Sequence, residues 1–179
     1  MTQEKLLDPT GMAEREIDNS LSPRPVTLRG TVLGLVDNTK TSAESLLKEI
    51  GQELRRSHGV EQTKLYTKDY FGTPISESLR DQIANEVDIV ITAVGDCGSC
   101  SAATVADGIL FERAGIPAVS ITSDSFYPSG RAMARVQGFP GFEFCAVQHP
   151  VASLNLDQLR ERVSAVMPSL LRILGVEEN

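Results

Sequence analysis

Two cysteines stand three positions apart where an apolar strand pattern gives way to a helical pattern. Residues 88–94 are mostly apolar and β-branched, and from residue 99 or 100 apolar side chains recur at helical spacing. Cys97 and Cys100 therefore fall at or just before a helix N-terminus, where free backbone N–H groups and the helix dipole stabilise a thiolate. We predict that Cys97 is a nucleophilic or redox-active thiolate; a buried structural thiol is the alternative.

The second cysteine has the spacing of a resolving thiol. Cys-x-x-Cys on a first helical turn can close into a disulfide, and Gly95 and Gly98 permit the tight turn that this requires. We predict that Cys100 attacks a sulfenate or mixed disulfide formed on Cys97. Simple packing of Cys100 against the sheet is the other interpretation.

Two further residues have the right chemistry for proton transfer beside a thiolate. Asp96 directly precedes Cys97, and His149 follows the last predicted strand. A carboxylate can act as a general acid or base, and an imidazole titrates near neutral pH. Asp96 could instead fix the turn by a side-chain hydrogen bond, and His149 could be a loop or capping residue, so both alternatives stay open.

Polar residues at other strand ends complete the predicted site. Asn38 follows the first strand, and its alternative role is that of a turn residue at the strand end. Ser123 and Asp124 follow the fourth strand. We predict that a substrate is bound by Asn38, Gly98, Ser99, Ser101, Ser123 and Asp124.

Alternating strand and helix patterns run along the chain and position these residues. Strands are predicted at residues 31–36, 64–67, 88–94, 118–122 and 142–147, the second being polar enough for a sheet edge. Helices are predicted at residues 42–57, 77–85, from 99 or 100 to the Gly115 stop, at 128–137, and at 156–174 with a kink at Pro168. Short connections indicate one parallel sheet between two helix layers, a three-layer αβα domain.

The predicted fold class is α/β with the flavodoxin-like strand order 2-1-3-4-5. In such sheets the site lies at the carboxyl ends of the strands, which is where the candidate residues fall. Residues 28–179 form this single domain, and residues 1–27, which are polar and proline-containing, form an N-terminal arm. An arm of this length could wrap a neighbouring subunit, so we expect a homo-oligomer.

Composition excludes several classes of partner. The 179 residues carry a net charge of −7 with only 17 lysines and arginines, so neither nucleic acid nor an anionic membrane is expected to bind. No apolar run approaches the length of a membrane span, and the N-terminus lacks the apolar segment of a secretory signal. Three cysteines, an odd number, indicate a reducing compartment, and we expect a cytoplasmic protein.

Residues 95–100, Gly-Asp-Cys-Gly-Ser-Cys, resemble the signature of the UGSC family, selenoprotein-like proteins named for a selenocysteine-Gly-Ser-Cys motif. The likeness extends to residues 7–11, 35–38, 112–117 and 149–150, and so spans most of the chain. This sequence has Cys97 where the motif has selenocysteine. A more distant similarity links the segment to the selenocysteine subunit of glycine, sarcosine and betaine reductases, where the selenolate attacks a carbon that bears an amine.

Two classes of function follow from these residues. The first is an enzyme in which the Cys97 thiolate attacks a small anionic substrate and cleaves a C–X or C–S bond, either reductively or as a lyase. A thiol reductant such as thioredoxin would then clear the resulting disulfide. The second is a thiol carrier or subunit of a larger reductase complex, inactive without its partner, as the reductase resemblance implies.

A bound cofactor is not expected. A flavin phosphate could sit on Thr39, Thr41 and Ser42 at a helix start, but no glycine-rich loop lies there. A metal held by the cysteine pair with Cys145 and His149 has poor spacing, because Cys145 lies inside a predicted strand and His149 beyond its end. A flavin-binding protein is the third alternative, and no metal site is predicted.

Overall fold

The computed structural model describes residues 17–176 and shows one parallel sheet between two layers of helices. The strands are β1 (Val32–Asp37), β2 (Gln62–Thr67), β3 (Ile89–Gly95), β4 (Ala118–Ser123) and β5 (Cys145–Val147). The helices are α1 (Ala43–His58), α2 (Glu77–Ala84), α3 (Gly98–Arg113), α4 (Tyr127–Val136) and α5 (Leu156–Leu174), with a 3-10 turn at Asp124–Phe126.

The five strands are all parallel and lie in the order β2-β1-β3-β4-β5, which confirms the flavodoxin-like prediction. The polar strand β2 is at an edge, as its sequence indicated. β1 and β3 are neighbours in the middle, with Asp37 opposite Ala93, and Gly95 at the end of β3 lies opposite Thr122 of β4. The loops after β1, β3 and β4 therefore meet at one edge of the sheet.

The apolar residues of the strands divide between two cores. One core joins the sheet to α1 and α5, and it includes Leu35, Ile91 and Ile121 from the strands with Leu46 and Leu170 from the helices. On the other face, α2 and α3 cover a smaller cluster, and an aromatic cluster lies between α3, α4 and the segment before β5. The alternation of side chains along each strand produces this division.

The last strand is shorter than predicted. A strand was expected at residues 142–147, but β5 contains only Cys145–Val147. Phe142 and Phe144 are buried and apolar, as strand residues often are, yet their rings pack with those of Phe139 and Tyr127 instead of extending the ladder. None of the helices formed by residues 17–176 is long and apolar enough to cross a membrane.

The described part of the predicted N-terminal arm lies against its own domain. The Ser22 amide donates to Glu112 Oε2 at 2.7 Å, the Ser22 hydroxyl donates to the Glu112 carbonyl at 2.9 Å, and the Arg24 guanidinium pairs with Glu112 Oε1 at 2.7 Å. The Ala118 amide, at the start of β4, also donates to Glu112. Residues 1–16 of the arm lie outside the described residues, and the homo-oligomer stays a prediction.

We predict that Glu112→Ala lowers the free energy of unfolding by about 3 kcal/mol, because a buried ion pair and two buried amides lose their common partner. Urea denaturation at pH 7 measures the change. Glu143→Ala is the matched control, since its ion pair with Arg172 is exposed on both sides and contributes little. An equal loss in the two variants would show that residues 22–24 are not anchored as described.

Candidate functional site

Cys97 is the N-cap of α3, at the exit of the central strand β3. Its backbone is extended, and its Sγ accepts a hydrogen bond from the Cys100 amide at 3.3 Å. The side chain is half-buried and is followed by Gly98 and Ser99, which are exposed. Cys97 therefore combines an anion-stabilising position with access from solvent.

The structure places the sulfurs of Cys97 and Cys100 at disulfide distance, with Cα atoms 5.4 Å apart. Cys100 is buried, and its Sγ accepts a hydrogen bond from the Asp96 amide at 3.1 Å. Each sulfur of the pair thus has a backbone N–H directed at it. A backbone donor stabilises a thiolate, so either sulfur can leave as an anion when the bond is broken.

The turn that holds the cysteines depends on a close approach between β3 and α3. A Cβ atom at Gly95 would lie 2.5 Å from the Cα of Ser101, whereas a Cβ at Gly98 would have Ser129 Oγ as its nearest neighbour, at 3.9 Å. Gly95 is therefore required by contact with backbone, and Gly98 is not. The strand-to-helix turn is therefore closely packed at Gly95 and open at Gly98.

The Asp96 carboxylate is buried, and both of its oxygens accept hydrogen bonds. Oδ2 accepts from the Val151 and Ala152 amides, both at 3.0 Å, and Oδ1 accepts from His149 Nδ1 at 2.8 Å. Burial acts to raise the pKa of Asp96, but the hydrogen bonds from Ala152, Val151, Ser123 and His149 outweigh it and lower the pKa. These contacts favour a positioning role for Asp96 over the role of proton donor.

Contacts to Nδ1 and to the ring orient the His149 side chain. Its Nδ1 lies 2.8 Å from Asp96 and 3.3 Å from the Ser123 hydroxyl, and the ring packs edge-on against Phe126. Its backbone amide donates to the Asp124 carboxylate at 3.1 Å. In this arrangement Nδ1 donates to the Asp96 carboxylate, which can only accept, and Nε2 has no hydrogen-bond partner among the described residues. The side chain is 35% exposed.

The structure brings most of the predicted residues together. Ser123 is buried between the Gly95 carbonyl and His149, and Asp124 is exposed and binds the His149 and Ser125 amides. Ser99 Oγ lies 3.7 Å from Cys97 Sγ. Cys97, Cys100, Asp96, His149, Ser123, Asp124, Gly98 and Ser99 therefore form one connected group.

Asn38 and Ser101 lie in the layer beneath this group. Asn38 is buried; its amide donates to the Val94 carbonyl and the Thr104 hydroxyl, and its oxygen accepts from the Val94 and Lys40 amides. Both amide hydrogens are used within the chain, which argues against the substrate contact predicted for Asn38. Ser101 is fully buried against Gly95, and this placement likewise argues against substrate contact.

The alternative cofactor sites find little support in the geometry. Cys145 lies in the core beside Ser169 of α5, and burial raises the pKa of its thiol to about 11. Among residues 17–176 no group of three or more histidine, cysteine or acidic side chains is placed to hold a metal. At the start of α1, Thr39 Oγ1 donates to the Asn38 carbonyl and Ser42 Oγ donates to the Ala152 carbonyl, so two of the three proposed phosphate ligands are already bonded.

The comparison with known families agrees with the family resemblance seen in the sequence of the cysteine turn. The model of the UGSC family matches residues 5–176. The chain belongs to the UGSC family. The resemblance centred on residues 95–100 is thereby confirmed, whereas the distant relation to the amino-acid reductases stays an expectation. No curated protein and no solved structure is similar enough to this UGSC chain to count as a match.

Sequence reasoning missed the backbone groups that complete the site. The Val151 and Ala152 amides bind Asp96, and Ser42 connects this loop to the start of α1. Backbone donors leave no signal in residue type, so the motif alone could not reveal them. The one available signal is the His149-Pro150 pair, which marks a turn after the last strand.

We predict that Gly95→Ala lowers the free energy of unfolding by about 2 kcal/mol or more, because the added methyl meets the Ser101 backbone. Thermal or urea denaturation measures this loss. Gly98→Ala is the matched control in the same turn and should remain close to wild type, since its surroundings are open. Tolerance of both substitutions would contradict the close approach between β3 and α3.

We predict that Asp96→Asn costs about 2 kcal/mol at pH 7, because a buried charged acceptor of three hydrogen bonds is lost. The folded-state pKa of Asp96 lies below its ordinary value of 3.8, so its stabilisation is complete above that pH and is lost as pH falls through the folded value. The difference between wild type and variant should therefore shrink in acid. Urea titrations at pH 7 and below pH 3.8 test this, with exposed Asp81→Asn as control; a pH-independent difference would contradict it.

Proposed function

We propose that this protein is a cysteine-dependent enzyme in which Cys97 is the nucleophile and Cys100 the resolving thiol. The observation that carries this proposal is the pair of backbone hydrogen bonds, from the Cys100 amide to Cys97 Sγ and from the Asp96 amide to Cys100 Sγ. A buried structural cysteine pair would not need a half-exposed sulfur at a helix N-terminus. The arrangement is suited to thiolate chemistry on a small substrate.

The reductive version of the reaction balances with the two thiols alone. The Cys97 thiolate attacks the carbon of R–X, the C–X bond breaks, and X leaves with its electron pair. The Cys100 thiolate then attacks Cys97 Sγ; the new S–S bond forms and R leaves as a carbanion that takes a proton. Overall, R–X and two thiols give R–H, HX and a disulfide. The substrate is thereby reduced by two electrons. A dithiol or small-thiol reductant restores the pair.

His149 is the residue that we assign to proton transfer in this scheme. Asp96 holds its Nδ1, which leaves Nε2 to accept the proton of a thiol or to protonate the leaving group. A lyase version uses the same groups: Cys97 forms and releases a covalent adduct with no net redox change. The reductive version needs an external thiol, and we therefore place the protein in a reducing compartment such as the cytoplasm.

A thiol carrier or reductase subunit is the second candidate function. The observation that favours it is the exposure of Gly98 and Ser99 beside Cys97, since a turn open to solvent can be reached by a partner protein. The two functions differ in whether activity needs that partner. A self-sufficient enzyme turns over with a reductant alone, whereas a subunit is inert until its partner is added.

We predict that Cys97 in the reduced protein is alkylated by iodoacetamide with an apparent pKa at least about one unit below the free-thiol value of about 8.5. Mass spectrometry at each cysteine measures the rate against pH. Cys145 is the internal control, because burial raises the pKa of its thiol to about 11 and it should react far more slowly. A Cys97 that is inert, or that titrates as an ordinary thiol, would overturn the nucleophile assignment.

The same protein tests the resolving role. Hydrogen peroxide converts the Cys97 thiolate to a sulfenic acid with release of hydroxide, and attack by Cys100 then gives the disulfide and water. Wild type should therefore form the Cys97–Cys100 bridge, whereas Cys100→Ser should retain a sulfenic acid that dimedone traps on Cys97. Trapping of equal amounts in wild type and variant would show that Cys100 does not resolve.

A further inference from the structure

The loop after β1 lies directly beside the cysteine turn. Asn38 Nδ2 donates to the Val94 carbonyl at the end of β3 at 2.9 Å. Ser42 Oγ donates to the Ala152 carbonyl at 3.2 Å, and the Ala152 amide donates to Asp96 Oδ2 at 3.0 Å. Residues 38–42 are thus joined at both ends to the groups that surround Cys97.

This loop presents a lysine against an aromatic pair. Lys40 Nζ lies 5.0 Å from the ring centroid of Phe71, and the Phe71 and Tyr70 rings are 4.5 Å apart. Tyr70 is 52% exposed, so its ring is open to a ligand. An aromatic face attracts a cation but carries no anionic group to pair with it.

The segment that carries the rings is fixed to α3, the helix that begins at the cysteine turn. Lys68 and Asp107 form a buried ion pair, Lys68 Nζ donates to the Thr73 carbonyl at 2.7 Å, and the Ile75 amide donates to Asp107 at 2.6 Å. These contacts hold residues 68–75 on both sides of Tyr70 and Phe71. The rings are therefore placed by a helix that also positions Cys97.

The loops at the carboxyl ends of the strands contain one basic side chain, Lys40, that has no anionic partner among the described residues. The loops that follow the five strands contain two other basic side chains, and both are occupied: Lys68 pairs with Asp107, and His149 pairs with Asp96. Lys40 forms no ion pair within residues 17–176. In a chain of net charge −7, an unpaired lysine in the loop that adjoins the cysteine turn favours an anionic ligand.

We propose that Lys40, Phe71 and Tyr70 form the substrate subsite of the Cys97 centre, and that the substrate is a small carboxylic acid with a planar or apolar group. Lys40 binds the carboxylate, and the ring of Tyr70 packs against the planar group. This subsite rests on the proposed thiolate function for its purpose. Its existence as a carboxylate site can be tested separately.

Alkylation with a charged and a neutral reagent tests the lysine. The rate of Cys97 alkylation by iodoacetate, divided by the rate with iodoacetamide at the same pH, cancels changes in thiolate fraction. Lys40→Gln should lower this ratio about fivefold, because the charge that attracts the carboxylate is gone. Lys64→Gln, on the edge strand and three residues before its carboxyl end, is the matched control and should keep the wild-type ratio. An unchanged ratio in Lys40→Gln would overturn the subsite.

Binding of benzoate tests the subsite without any thiol chemistry. In Cys97→Ser protein, saturation-transfer NMR should detect benzoate; Cys97→Ser/Lys40→Gln should lose the signal, and Cys97→Ser/Tyr70→Ala should weaken it. Equal signals in all three proteins, or none in the first, would overturn the subsite. If Cys97 proves inert to iodoacetamide while benzoate binds through Lys40, the thiolate function fails and the carboxylate subsite stands.

Discussion

The buried carboxylate of Asp96 is the interaction on which the arrangement of the site depends. It binds His149 and the Val151 and Ala152 amides, and so joins the end of β3 to the loop after β5. A buried carboxylate is stable only when its oxygens are hydrogen-bonded, so the loop and the aspartate require each other. Because the amide of the same residue donates to Cys100 Sγ, the imidazole and the cysteine pair have fixed relative positions.

Helix α3 extends this constraint across the domain. Its N-terminus carries the cysteine pair, Asp107 in its middle anchors the loop after β2, and Glu112 near its end anchors residues 22–24 and the start of β4. The helix is buried along most of its length, between the sheet and its neighbouring helices. Displacement of α3 would therefore disturb several buried polar contacts at once.

The sequence was sufficient for the fold and for the location of the cysteine turn, because both depend on local patterns. Apolar β-branched runs gave the parallel strands, and the change to helical spacing gave the N-terminal position of Cys97. Such patterns do not predict the direction in which a polar side chain points. Asn38 and Ser101 lie at the predicted edge of the sheet but point into it, and Phe142 and Phe144 are apolar without belonging to β5. Only tertiary packing decides these cases.

The proposed function brings a thiolate and an anionic substrate together in an acidic protein, and it therefore requires that charge repulsion be limited at the cysteine turn. The Asp96 charge is dispersed over two backbone amides and an imidazole, which reduces its effect on the adjacent sulfur. The α3 N-terminus contributes positive potential with no added side chain. Lys40, held over Phe71 in the neighbouring loop, adds a full positive charge to the same edge. Backbone dipoles and one lysine can therefore make a locally favourable site for anions in a chain whose net charge is −7.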